Sequence, residues 1–375
     1  MQRSPVADPT RMLTRREALI AVACVAVAPT IAGCTPADDT VAAAGKTRRT
    51  RSGFVSAPEL VQRELVRHAT LAPSSHNTQC WKFHLQPHVI SVYADLARRC
   101  PAVDPDDHHL FVSLGCALEN LTQAAQASGL HCEQLEHTID AGMIDVTLTP
   151  TTAHASALYD AIPSRQCTRG EYDGQPLSMD QLRLLQRAGS SERVQMIVLT
   201  ERNALERMLE LVVAGNTAQM HDQAFIDELQ HWIRFNAAEA VHTGDGLYAG
   251  IAGNPSLPRW LGKPLMRLFF TAAGENQRYA QQIRSAAGIA VFVSAANNRA
   301  HWVETGRCYE RFALQATALG IRNAMLNQPV EVAALRPELA SWLGVGNLRP
   351  DLVVRFGRGA TLPMSLRRPL EQVLV

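Results

Sequence analysis

None of the eight cysteines forms a C-x-x-C pair, so zinc-ribbon and thioredoxin-like centres lack the ligand spacing they need. Cys100, Cys116 and Cys132 stand in apolar surroundings and read as buried hydrophobes. Charge of either sign is not in excess. The net charge is +1 over 375 residues, with no face or arm loaded with cation, which argues against a nucleic-acid binder. No run is long enough to span a bilayer comfortably: the apolar stretch from Leu19 to Ala32 is short and carries Pro29. Gly344-x-Gly346 and Gly357-x-Gly359 do not complete a dinucleotide fingerprint. What is present is globular composition, 46% hydrophobic and 19% charged, in a chain long enough for one large domain or two.

The N-terminus reads as an address. Arg15-Arg16 ahead of Leu19–Ala32 is a twin-arginine pattern, and Ile31-Ala32-Gly33-Cys34 resembles a bacterial lipobox. Residues 1–33 are therefore expected to be a signal peptide. Cys34 is expected to carry lipid, anchoring an exported protein to a membrane facing the periplasm. Residues 34–56 read as a flexible tether whose basic run, Lys46 to Arg51, can touch anionic headgroups. Outside the inner membrane the NAD(P)H pool is out of reach.

The remainder divides into a half at 57–153 and a half at 154–375. A helical pattern (Leu60, Leu65, Val66, Ala69) is followed by two short strands, Trp81–Leu85 and Val89–Tyr93, in a hairpin. Asp106 and Asp107 open a long helix that ends at Gly129. His108 and His109 beside them invite a metal reading. Acidic residues at a helix start satisfy free N–H groups without an ion, so no metal is expected. Gly115, Glu119, Ala125, Ala127 and Gly129 recur at Gly306, Glu310, Ala316, Ala318 and Gly320 with a constant offset of 191. Duplication explains this better than two unrelated Ala-rich helices. Between the copies, Leu205–Phe235 is amphipathic. Residues 243–264 are Gly/Pro-rich yet apolar, and read as a lid over a cavity or as a loop packed on the core.

Four motifs carry the chemistry. Ala72–Phe83 (APSSHNTQCWKF) sets Ser74, Ser75, His76, Asn77 and Gln79 on a turn at the mouth of a strand. Such a turn suits the polar edge of a flat heterocycle, and equally an ordinary helix-to-strand loop. Arg165-Gln166-Cys167-Thr168-Arg169 pairs two cations able to clamp a phosphate, or forms a solvated basic turn. Asn327-Gln328-Pro329-Val330-Glu331 offers backbone N–H groups, and Arg367-Arg368-Pro369 adds a terminal cation pair.

In this order the motifs resemble the FMN-dependent nitroreductase superfamily, and within it the Acg-like branch, in which two nitroreductase-type halves are fused. The resemblance covers roughly Pro58 to Val375. It implies an α+β fold: two halves, each a mainly antiparallel sheet flanked by helices, forming an intrachain pseudo-dimer and hence a monomer. It also implies FMN between the halves. Arg165 with Arg367 or Arg368 would take the phosphate, and Arg169 the pyrimidine edge. Ser74, Ser75, His76, Asn77 and Gln79 would take the ring edge or ribityl chain, and Asn327 and Gln328 would open the turn near N5. Cys167 stands where Ser is common and Cys80 where Pro is usual. Half two has Ala188-Gly189-Ser190-Ser191 in place of its own loop, so a single flavin site is expected. The implied activity is two-electron transfer to a nitroaromatic, a quinone or a similar planar acceptor, with a quinol or redox protein as donor. Storage of FMN without turnover is the alternative. No side-chain acid or base is required, because the flavin carries the chemistry.

Overall fold

The computed structural model describes residues 36–49, 57–252 and 255–375; the twin arginines, Cys34 and residues 50–56 lie outside the described residues. Part of the stretch expected to be a tether is instead folded. Helix α1 (Pro36–Thr47) buries Ala44 against Ala240 and Leu366, and Arg48 behind it is buried as well. Helix α2 (Pro58–Ala69) opens on Pro58, whose missing N–H is harmless at a first helical position. Leu65, Val66 and Ala69 face inward as expected, whereas Leu60 faces solvent.

The first sheet comprises β1 (Trp81–Gln86), β2 (Val89–Ala94), β3 (Leu130–Leu135) and β4 (Met143–Pro150). It is antiparallel in the order β1-β2-β4-β3. Trp81 and Phe83 point into the core while the residues between them do not, the alternation of a half-buried strand. Helix α3 (His108–Ala127) joins β2 to β3 and ends where Gly129 takes φ +75. Its start is capped by Asp104 rather than by Asp106 or Asp107. The Oδ1 and Oδ2 atoms of Asp104 accept the His109 and Leu110 N–H groups at 3.0 and 2.9 Å.

After the short α4 (Ala157–Ala161) and α5 (Met179–Ala188) comes the second sheet, also antiparallel. It contains β5 (Val194–Leu199), β8 (Gly288–Ser294), β10 (Arg349–Gly357) and β9 (Arg322–Met325), in the order β5-β8-β10-β9. Strands β8 and β10 are buried along their whole length, because both sheet faces are covered. One face meets the central core. Helices α6 (Arg202–His221), α10 (Ala272–Arg284) and α13 (Arg336–Trp342) cover the other with Met208, Val212, Ile283 and Leu339. Between β5 and β8, α6 is followed by α7 (Gln223–Trp232), β6 (Ile233–Arg234), α8 (Ala237–Thr243), β7 (Leu247–Tyr248) and α9 (Arg259–Phe269). The amphipathic stretch 205–235 is thus two helices and the start of a two-stranded ribbon, β6 with β7.

The expected duplication is visible in the packing. Helix α11 (Arg299–Ala318) crosses α3 at Gly115 and Gly306, and α12 (Gln328–Glu331) follows β9. A Cβ on Gly115 would lie 2.0 Å from the Val303 carbonyl oxygen, and one on Gly306 would lie 1.9 Å from that of Val112. Val303 and Val112 are related by the same offset of 191 as the two glycines, so the crossing is a pseudo-two-fold contact. The core is continuous across it, from Leu65 and Trp81 through Leu114 and Phe312 to Phe292 and Phe356. Beyond β10 the tail crosses to the first half. The Phe83 N–H donates to Val373 O (2.7 Å) and the Val375 N–H to Phe83 O (2.9 Å), adding a parallel bridge to the edge of β1.

Candidate functional site

The turn Ser74–Gln79 sits between the halves with its backbone under tension. His76, Asn77 and Gln79 all have positive φ, at 48°, 54° and 54°. Non-glycine residues in that region cost on the order of 1 kcal/mol each and persist only where neighbours hold them. The neighbours come from the other half. The Ser74 Oγ accepts the Gln79 N–H at 2.8 Å. The Asn77 Nδ2 donates to Gly246 O (3.1 Å) and Leu366 O (3.2 Å), and its Oδ1 accepts from Arg367 (3.0 Å). The Gln79 Nε2 donates to Gly244 O (2.9 Å), and its Oε1 accepts the Arg368 N–H (2.9 Å). Both amides thus tie the turn to residues 244–246 and 366–368. That ribbon segment is itself pinned to the first half by Arg98 on Asp245. His76 places Nδ1 3.4 Å from the Cys100 Sγ. Burial pushes its pKa down to about 4, with Arg169 and His109 adding to the shift, so the imidazole is neutral.

Three guanidiniums are buried next to the turn. Arg165 sets Nε 3.0 Å from Glu310 Oε1 and donates Nη2 to Leu71 O at 2.7 Å. Arg367 is surrounded by acceptors: Thr70 O, Leu71 O, Ala72 O, Leu366 O, Asn77 Oδ1 and Ser365 Oγ. A guanidinium has five N–H donors, and all of Arg367's are engaged within the chain. It clasps the start of the turn through the carbonyls of Thr70, Leu71 and Ala72. Arg48 donates Nη1 to Pro163 O (2.9 Å) and Arg165 O (3.2 Å). Its Nε and Nη2, both buried, have no hydrogen-bond partner among the described residues. Burial and the neighbouring Arg165 pull Arg48 down to about 9, against the pull of Glu310. Glu310 is itself pushed up to about 7 by burial, with Arg165 acting in the opposite sense.

The rest of the expected site is nearby but not uniformly engaged. Arg368 is half-buried and donates to Gln372 O at 2.9 Å. The Cys167 backbone bridges to Asn323, and its Sγ lies 3.6 Å from the Tyr309 hydroxyl. Arg169 is exposed, with its carbonyl accepting from Gln282 at 2.6 Å, and its charge reaches His76 and Tyr279. The Asn327 Oδ1 accepts the Val353 N–H at 3.0 Å. Gln328 is buried and packs on Gly215, where a Cβ would come within 2.7 Å of it. The N–H groups of Val330 and Glu331 close the turn on Asn327 O at 2.9 and 2.8 Å. Beside this turn lies a cavity of about 250 Å³ lined by Asp104, Asp106, His108, His109, Glu331 and Arg336. His108 is engaged there by Asp351 at 2.9 Å.

Sequence reasoning missed Arg48, Glu310 and Arg355 as parts of the site. Arg355 is fully buried in β10, stacked 4.3 Å over the Tyr172 ring, and donates Nη2 to Gly170 O at 2.9 Å. Its Nε and Nη1 have no partner among the described residues. A signal was available: a lone arginine inside an apolar run, Leu352-Val353-Val354-Arg355-Phe356, needs a reason to be there.

No family model matches the chain. Among curated proteins it is similar to "Putative NAD(P)H nitroreductase Rv3131" of Mycobacterium tuberculosis, with 25% identity over 323 residues, 82% of this chain and 88% of that one. It is also similar to "Putative NAD(P)H nitroreductase acg" of the same organism, with 23% identity over 328 residues, 84% of this chain and 95% of that one. Among solved structures, the FMN-dependent nitroreductase NfnB from Mycobacterium smegmatis aligns over 58% of this chain and 96% of its own. Identity there is 14% and the TM-score 0.39, too distant an overlap to decide anything about a ligand.

Proposed function

We propose that this chain is an FMN-binding oxidoreductase of nitroreductase type that passes two electrons to a nitroaromatic, a quinone or a similar planar acceptor. One observation carries the reading. Arg48, Arg165 and Arg367 are buried beside the turn; Arg165 is paired with Glu310 at 3.0 Å, whereas Arg48 keeps Nε and Nη2 without a hydrogen-bond partner among the described residues. Buried charge is tolerated when paired, and here an anion is owed. A phosphate dianion fits: Arg48 offers two nitrogens, Nε and Nη2, with no partner among the described residues, and Arg165 is fixed in place beside it. The names of the curated relatives support the same class of chemistry.

Arg165 and Arg48 would hold the phosphate, and Arg367 would keep the turn shaped for it. Arg169 and Arg355 would set positive charge at the pyrimidine edge. When bound, FMN supplies the hydride-accepting ring that no side chain here provides. The protein's own part is to bind and orient it, and to hold neutral His76 against a cationic edge. The donor follows from location. If the Cys34 anchor places the chain outside the inner membrane, a quinol or a redox protein replaces NAD(P)H.

Flavin retention is the test. The chain lacking residues up to Cys34 is expected to purify yellow and to release FMN on denaturation. Arg48→Gln and Arg165→Gln are each expected to weaken FMN binding by about tenfold or more, the worth of one charge-assisted contact. Reduction with NADPH and with a quinol analogue, run side by side, identifies the donor. A colourless protein that takes up no FMN on reconstitution overturns the proposal. A second reading, storage of FMN without turnover, is favoured by the bonds that close residues 244–246 over the turn at Asn77 and Gln79. A soluble quencher that reaches the bound flavin rules storage out.

A further inference from the structure

Helix α9 presents an outer face that nothing in the fold explains. Gly262 packs against the Phe235 ring, where a Cβ would come within 2.4 Å, and Arg259 turns inward to Glu239. With that side held down, the stripe at positions 260, 263, 264, 267 and 268 faces solvent. Trp260 is 77% exposed and Leu268 68%, and Phe269 beside them is 41% exposed. Pro264 lies between them, and Lys263 and Arg267 flank the apolar row. The helix contains no acidic residue. On the outer face, Arg267 lies 3.9 Å from Asp227 of α7, which is itself exposed.

We propose that this face is a membrane-docking surface, with Trp260, Pro264 and Leu268 entering the headgroup region of an anionic phospholipid bilayer and Lys263 and Arg267 meeting its phosphates. An amphipathic helix with a tryptophan and leucine row bordered by cations is the composition that lies in a bilayer interface. Spanning is not at issue, since no helix among the described residues is long and apolar enough to cross a membrane. Placement supplies the second argument. Helix α1, which begins two residues after Cys34, packs on α8 through Ala44 and Ala240. Helix α9 is fastened to the same α8 and its leading residue Phe235. Helix α8 is seven residues long, about 10 Å at the helical rise. A lipid on Cys34 and the face of α9 therefore start from one short support and can reach one bilayer together. The proposal does not depend on the flavin reading.

The test uses the full chain carrying Cys34→Ser, so that no lipid is attached. It is mixed with vesicles of phosphatidylcholine alone or of phosphatidylcholine with phosphatidylglycerol. The expected result is co-sedimentation with the anionic vesicles, weakened by salt, together with a blue shift of tryptophan emission. Trp260 should dominate that shift, because Trp81, Trp232 and Trp302 are buried and Trp342 is partly buried against the second sheet's outer cluster. Partitioning should fall about tenfold or more in Lys263→Glu/Arg267→Glu, and comparably in Trp260→Ser/Leu268→Ser. Arg183→Glu on exposed α5 should leave it unchanged. All these side chains are exposed, so the melting temperature serves as the check on folding. No vesicle binding overturns the proposal. So does binding that both α9 variants leave intact, which would assign it to the basic run around Arg49. Self-association without vesicles that the α9 variants abolish would assign the face to a second copy, and also overturns it.

Discussion

Burial shifts the titration of His76, His108 and Glu310, and the three pull stability in opposite directions with pH. Burial moves His76 and His108 from the usual 6.5 down to about 4. The unfolded chain therefore binds the extra protons, and stability from these two groups is full above pH 6.5 and lost as pH falls towards about 4. Glu310 moves the other way, from 4.5 to about 7. Its contribution is full below pH 4.5 and lost as pH rises through about 7. Each shift is worth on the order of 3 kcal/mol, so the sum is flatter than any one part. Glu310→Gln should accordingly steepen the rise of stability between pH 4.5 and 7, and His108→Asn should flatten it, as read by urea unfolding across that range. A pH profile that neither variant alters would mean that these groups are open to water.

At the scale of elements, the α3–α11 crossing is the most sensitive place in the molecule. Two 20-residue helices meet at Gly115 and Gly306, each against a carbonyl that cannot move aside without unwinding its helix. Gly115→Ala and Gly306→Ala should each destabilise by about 3 kcal/mol, the upper range for overpacking. The pseudo-symmetry predicts near-equal losses, measurable as melting temperatures. A drop in one variant alone would break the equivalence. The duplication behind this crossing was legible in advance, because matched glycines and glutamates at one offset leave a mark in the chain itself; that the two helices cross at those glycines was not. Legible too were the β1–β2 hairpin, from its alternation, and the end of α3, from Gly129. Much of the site was not. That Arg367 would be consumed by Thr70, Leu71 and Ala72, or that Arg48 would be buried beside Arg165, depends on where separate segments meet. An arginine reads the same in a sequence whether its partners are carbonyls, a carboxylate or a ligand. Helix α1 was missed for a related reason: an Ala/Thr/Asp-rich stretch next to a basic run has the composition of a linker, and only the apolar seat offered by Ala240 and Leu366 makes it fold.

At the scale of the whole molecule, the halves are held together by more than one crossing. The tail ends on the first half, with Val373 and Val375 bonded to Phe83. Removing residues 373–375 should bare the edge of β1 while leaving the second sheet intact. An unprotected edge recruits other strands, so the truncated chain is expected to aggregate at concentrations where the chain that keeps residues 373–375 does not, as followed by light scattering. A truncated chain that remains monodisperse would make the tail dispensable. The pseudo-two-fold contact at Gly115 and Gly306 has one more consequence. In an assembly of identical subunits every substitution is copied on both sides of the axis, and a change useful on one side must be tolerable on the other. Here each half is spelled out separately in the chain, so that constraint is lifted: Arg165 faces Glu310 in one place while Glu119, its counterpart, is held by Arg307 and Arg311 in the other. One side of the axis can keep a ligand pocket while the other is free to become scaffold.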